Sequence, residues 1–81
     1  MNSVQQTIAE IAYEKKHAGV KMTFPELRAE LKARGRRPGI GRGLYRQVST
    51  TYKHALKEGN EGVADAIATV FVDKNGNYYW G

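Results

Sequence analysis

Apolar positions recur at helical spacing in three stretches of the chain. Val4, Ile8, Ile11 and Ala12 fall on one face, with Ala18 close by. Ser3 and Gln6 precede this run with the spacing of a capping box, in which each side chain satisfies one free backbone N–H. Lys15, Lys16 and His17 followed by Gly19 supply cations in a last turn and a glycine stop. Together they predict a helix over 3–18. A short extended link at 20–22 leads to a second helix over 23–34. There Thr23 and Glu26 form a capping box, Pro25 lies in the first turn, and Met22 can staple onto Leu27. Phe24, Leu27 and Leu31 face the core, and Gly35 ends the helix. Pro38 keeps Arg37 out of helix, so 36–41 is a basic loop. A third helix over 41–58 carries Ile40, Leu44, Val48, Tyr52, Ala55 and Leu56 as one apolar stripe and stops at Gly59.

The C-terminal part changes character. Asn60 can cap a short fourth helix to about Ala68, since Val63, Ile67 and Val70 keep helical spacing; the alternative is that strand begins earlier. Thr69, Val70, Phe71 and Val72 are strand formers, Asp73-Lys74-Asn75-Gly76 has the composition of a hairpin turn, and residues 77–80 would return as the second strand. On that strand Tyr79 takes one face and Tyr78 and Trp80 the other. Core packing is the better reading of these aromatics than a stacking platform. The expected core joins Ile8, Ile11, Leu27, Leu31, Leu44, Val48, Tyr52, Val70 and either Val72 or Phe71.

Length makes this one domain over 1–81, mainly α with a C-terminal β-hairpin. A chain this short buries only about 60–65% of its unfolded surface, so the core is small. There are no cysteines, hence no disulfide framework and no thiolate zinc site. The start of the chain does not read as a signal peptide, and no apolar run approaches the roughly 20 residues that span a bilayer. The expectation is a cytoplasmic protein without a membrane partner.

Charge sharpens the picture more than composition does. Residues 31–57 hold eight of the thirteen basic residues and none of the eight acidic ones. The net +5 is therefore +8 in this block and −3 elsewhere. On the third helix Arg42, Arg46, Ser49, Thr50, Lys53 and Lys57 line the side opposite the apolar stripe. A face that is positive and hydroxyl-rich along its length suits a polyanion, because each cation near a phosphate releases condensed counterions. The plainer reading is a solvated basic face that aids solubility.

Within this face the residues suggest different jobs. Arg42 and Arg46, near the N-terminal end of the helix, can pair bidentately with guanine; Gln47 is an adenine candidate; Ser49, Thr50 and Lys53 follow along the groove. Arg34, Arg36, Arg37 and Lys57 are phosphate candidates, as is the backbone at Gly41. Tyr45 falls between the two stripes and is read as partly buried. Gly39-Ile40-Gly41-Arg42-Gly43 is not a dinucleotide fingerprint or a P-loop: the glycine spacing is wrong, no strand precedes it, and no Gly-Lys-Ser/Thr ends it. His17 and His54 lie on different helices without carboxylate or thiol partners at ligand spacing. No catalytic constellation, metal site or cofactor is expected.

The order helix, link, helix, basic loop, helix, hairpin resembles the winged helix-turn-helix superfamily across nearly the whole chain. The resemblance implies a regulatory DNA-binding protein, nucleoid-associated, whose third helix enters the major groove and whose hairpin contacts flanking backbone. Two features depart from it: the 35–41 connection is long, and the hairpin tip carries only Lys74, beside Asp73. The alternatives are an RNA-binding domain and a non-catalytic protein-interaction adaptor using the basic face against an acidic protein. A homodimer is compatible with the sequence but not demanded by it.

Overall fold

Local capping chemistry sets most element boundaries in the computed structural model, which describes residues 1–77. Helix α1 is Ser3–Ala18. Its N-cap is Asn2, not Ser3: the Asn2 side chain accepts the Gln5 N–H at 2.9 Å, and the Gln5 side chain accepts the Asn2 N–H at 3.1 Å. Asn2 and Gln5 have the same three-residue spacing as Ser3 and Gln6, and the earlier start adds the bond from Gln6 N–H to the Asn2 carbonyl. The helix ends at Gly19, whose φ of 70° lets the Val20 N–H return to the Lys15 carbonyl.

Met22–Thr23 forms strand β1, and Thr23 doubles as the N-cap of α2, Phe24–Ala33. The Thr23–Glu26 capping box is present with Pro25 in the first turn. Met22 and Leu27, the staple pair, are both buried. Helix α3 is Gly43–Lys57, two residues later at its start than periodicity predicts. Gly41 has a φ of 57°, outside the helical region, and Arg42 caps without a side-chain bond. Helix α4 is Glu61–Val70, opened by Asn60, whose side chain accepts the Val63 N–H.

The short fourth helix is thus real and runs past Ala68 through Thr69 and Val70, two residues expected to be strand. Burial decides the matter: Ala66, Ile67 and Val70 reach the core only if the helical spacing continues. The Thr69 hydroxyl is satisfied by the Asp65 carbonyl at 2.8 Å. Strand β2 is only Phe71–Val72, and it pairs in parallel with β1, Met22 opposite Phe71 and Thr23 opposite Val72. The expected first strand over 69–72 is therefore corrected to Phe71–Val72, with Thr69 and Val70 in α4. The expected return strand at Tyr78, Tyr79 and Trp80 lies outside the described residues. The turn itself forms where the sequence puts it. Asp73 Oδ1 accepts the N–H groups of Asn75 and Asn77, and Gly76 carries the positive φ of 83°.

The core joins Ile8, Ile11 and Ala12 of α1, Phe24, Leu27 and Leu31 of α2, Leu44 and Val48 of α3, Ala66, Ile67 and Val70 of α4, and Met22 and Phe71 of the strand pair. Each large side chain buried in full is worth about 1.5–3 kcal/mol in transfer from water. Both Phe71 and Val72 are buried, so the choice between them was unnecessary. Ala18 is exposed, and Tyr52 is only half-buried at the core's edge.

Two members of the α3 stripe are misplaced by periodicity alone. Ile40 is 95% exposed and Leu56 51% exposed. The buried positions of α3 are Leu44, Val48, Thr51 and Ala55, a narrower stripe than expected. Thr51 is fully buried because its hydroxyl donates to the Gln47 carbonyl at 2.7 Å, which removes the penalty for burying it. Ile40 stands before the helix begins, so the helical period does not apply to it.

Candidate nucleic-acid interface

The buried stripe of α3 fixes its rotation, and that rotation turns the opposite side outward. Arg42, Tyr45, Arg46, Ser49, Thr50 and Lys53 line one shallow groove of about 500 Å³. Five of these six are the α3 residues chosen from the sequence as groove contacts. Arg42, Arg46 and Lys53 are exposed, and among the described residues they form no salt bridge and no side-chain hydrogen bond. Tyr45 is half-buried, its ring 4.2 Å from that of Phe24 and tilted by 35°, so the groove floor is tied to the core. Lys57 is exposed one turn beyond Lys53, outside the groove.

The structure divides the remaining candidates. Gln47 is half-buried, and its Oε1 accepts the Gly39 N–H at 2.8 Å. It holds the loop and is not turned towards the groove. Arg34 donates to Glu14 at 2.8 Å and to Glu30 at 3.1 Å. The bonds to Glu30 and then Glu14 raise its pKa further and match its charge locally. Arg36 donates through Nε to the Thr7 hydroxyl at 3.0 Å, which anchors the loop on α1 without neutralising the cation. Arg37 is exposed and forms no ion pair among the described residues. Gly41 lies in the loop, outside the α3 groove, and its carbonyl faces Arg28.

Sequence reasoning missed Arg28 altogether. Its guanidinium reaches the carbonyls of Gly39 at 3.4 Å and Gly41 at 3.5 Å, pinning the loop from α2. Arg28 stands before the acid-free block, between Glu26 and Glu30, and nothing local in the sequence marks it. One glycine of the loop, Gly39, has a packing reason. A Cβ on Gly39 would sit 2.5 Å from the backbone of Gly43, so the chain crosses itself there.

Among the described residues no three metal-ligating side chains cluster. His17 packs edge-on against Tyr13 at 4.4 Å, and His54 is half-buried on α3. Among the described residues no helix is long and apolar enough to cross a membrane. A second concavity, about 620 Å³, lies between α1 and the start of α4, lined by Ala9, Glu10, Tyr13, Glu14, Asn60 and Val63. It is the larger of the two, but its charged groups are carboxylates, so it repels a polyanion. The chain matches no protein-family model, no curated protein and no solved structure.

Proposed function

We propose that this is a DNA-binding protein of winged-helix-like layout that lays α3 against duplex DNA. The observation that carries the reading is the α3 groove: three exposed cations and two hydroxyl residues on one helix face, with no carboxylate lining it. Folding alone gives no reason for this arrangement. Like charges one turn apart, such as Arg42 and Arg46, destabilise a helix by a few tenths of a kcal/mol. An α-helix about 10–12 Å across fits the roughly 12 Å major groove of B-DNA. Residues 42–53 cover about 17 Å of helix axis at 1.5 Å per residue.

In this arrangement Arg42 and Arg46 meet base edges, where a guanidinium pairs with guanine O6 and N7. Ser49, Thr50 and Lys53 follow the groove, and Arg36 and Arg37 hold flanking phosphates. Arg34 and Gln47 drop out of the contact set, because both already have partners within the fold. The role is regulatory binding without catalysis.

An NMR titration with random-sequence duplex DNA tests the reading. Amide shifts should concentrate at residues 36–53. Shifts at the α1/α4 groove instead, or none at low salt, would overturn it. Equal competition by double-stranded RNA would redirect it to A-form shape recognition.

A further inference from the structure

We propose that Ile40 is an apolar wedge that enters a base step of the bound duplex beside the α3 footprint. The inference rests on the DNA-binding reading and adds the mode of contact. Ile40 is 95% exposed, more than any other large apolar side chain among the described residues. An isolated exposed apolar residue needs no explanation by itself. This one, however, stands on a loop held in place on both sides. The Gly39 N–H is bound by Gln47, the carbonyls of Gly39 and Gly41 face Arg28, and the Gly43 N–H closes a turn on the Ile40 carbonyl. The left-handed Gly41 and the tight crossing of Gly39 over Gly43 complete the support. Ile is also stiff at χ1, so the knob loses little conformational freedom on insertion.

The surroundings select the partner. Arg37 and Arg42 flank Ile40 within three residues and form no ion pair among the described residues; Arg36 is bonded only to a hydroxyl. An apolar protein pocket would have to accommodate these cations at its rim. A duplex presents the opposite arrangement, an apolar stack of bases bordered by phosphates. Proteins that kink DNA insert Ile, Leu, Phe, Met or Pro between base steps from the minor groove, beside Arg and Lys side chains that enter it, so the wedge would use the minor groove next to the one that α3 occupies. Pyrimidine–purine steps open most easily, so the wedge also gives sequence preference without a hydrogen bond to a base.

The test compares a fully paired duplex with the same duplex carrying one central T·T mismatch, each end-labelled for energy transfer. The wild-type chain should bind the mismatched duplex about tenfold tighter, because a mismatched step costs less to unstack. It should also shorten the end-to-end distance of the paired one. Ile40→Ala should lose both the preference and the bend while keeping its thermal midpoint and the salt dependence of binding, since neither core nor charge changes. Gln47→Ala, which releases one loop anchor, should weaken the bend in the same direction. Duplex binding without mismatch preference or bending, or an Ile40→Ala variant indistinguishable from wild type, overturns the wedge and leaves the DNA-binding reading standing. Absence of binding to either duplex overturns both.

Discussion

Two grooves of similar size lie on this small molecule, and their charges are handled in opposite ways. Around the α1/α4 groove Glu14 pairs with Arg34 and nearby Lys16 pairs with Asp65, which leaves Glu10 as the lining carboxylate without an ion pair among the described residues. In the α3 groove Arg42, Arg46 and Lys53 have no carboxylate partner among the described residues. The first pattern is largely matched, and its remaining charge is negative. The second leaves its field directed outward, where a cleft of one sign raises the local concentration of the opposite charge. Size alone would favour the acidic groove, and charge pairing favours the basic one.

The largest effect that could break this contrast is loss of the anchor that aims α3. Leu44 is fully buried beneath the groove, so Leu44→Ala should destabilise the fold by about 2–5 kcal/mol in urea or thermal unfolding. In a domain with so small a core that is a large share of the total stability. An unmoved midpoint would mean that α3 is rotated differently and that the groove is misassigned.

Next comes a comparison of the two grooves by substitution. Arg46→Ala should change preference among duplex sequences by about 1–3 kcal/mol at one base pair if it reads guanine. Glu10→Gln, in the acidic groove, should leave duplex affinity unchanged or slightly improved. Binding assays on a set of single-base variants would show the difference, and equal effects from both substitutions would dissolve the contrast.

Arg34 and Arg36 sharpen it further, being two residues apart with different partners. Arg36→Ala should flatten the plot of log affinity against log salt by about one unit, the mark of one lost phosphate contact. Arg34→Ala should leave that slope unchanged, because its charge is already matched by Glu14 and Glu30. Its effect on stability should stay within about 0–1 kcal/mol, as for exposed ion pairs.

The smallest effect concerns acid and the α2 cap. The Thr23 N–H, followed by the Thr23 hydroxyl, holds the Glu26 pKa below its ordinary value of 4.5. A carboxylate with a depressed folded-state pKa contributes stability that is present above the unfolded value and lost as pH falls through the folded one. Wild type should therefore lose more of its urea midpoint below about pH 4.5 than Glu26→Gln does. Parallel pH profiles would show that the capping box contributes nothing through charge.

Helices α1, α2 and α4 were legible because their signals are local: Thr23 with Glu26, Asn60 before the Val63–Ile67 run, Gly19 after three basic residues. The basic face of α3 was legible for the same reason, as a single helix displays its own periodicity. What stayed hidden depends on partners far along the chain. Met22 pairs with Phe71, Arg34 with Glu14, Arg36 with Thr7, and Arg28 with the carbonyls of Gly39 and Gly41. No local pattern marks those contacts. Ile40 was misread because a helical period was extended past the glycine that starts the helix. Thr51 was missed because a hydroxyl that bonds back to its own helix behaves as an apolar group in packing.

The central claim is that the unmatched cations of the loop and α3 meet phosphates. Fluorescence anisotropy of a labelled random-sequence duplex, titrated with the protein at salt concentrations from about 50 to 200 mM, tests it most directly. On a random-sequence duplex, where no guanine need be in register, Arg42 and Arg46 join Arg36, Arg37 and Lys53 in neutralising about five phosphates, which predicts a slope of log affinity against log salt of about −4 to −5. A slope near zero, or no binding at the lowest salt, would contradict the account.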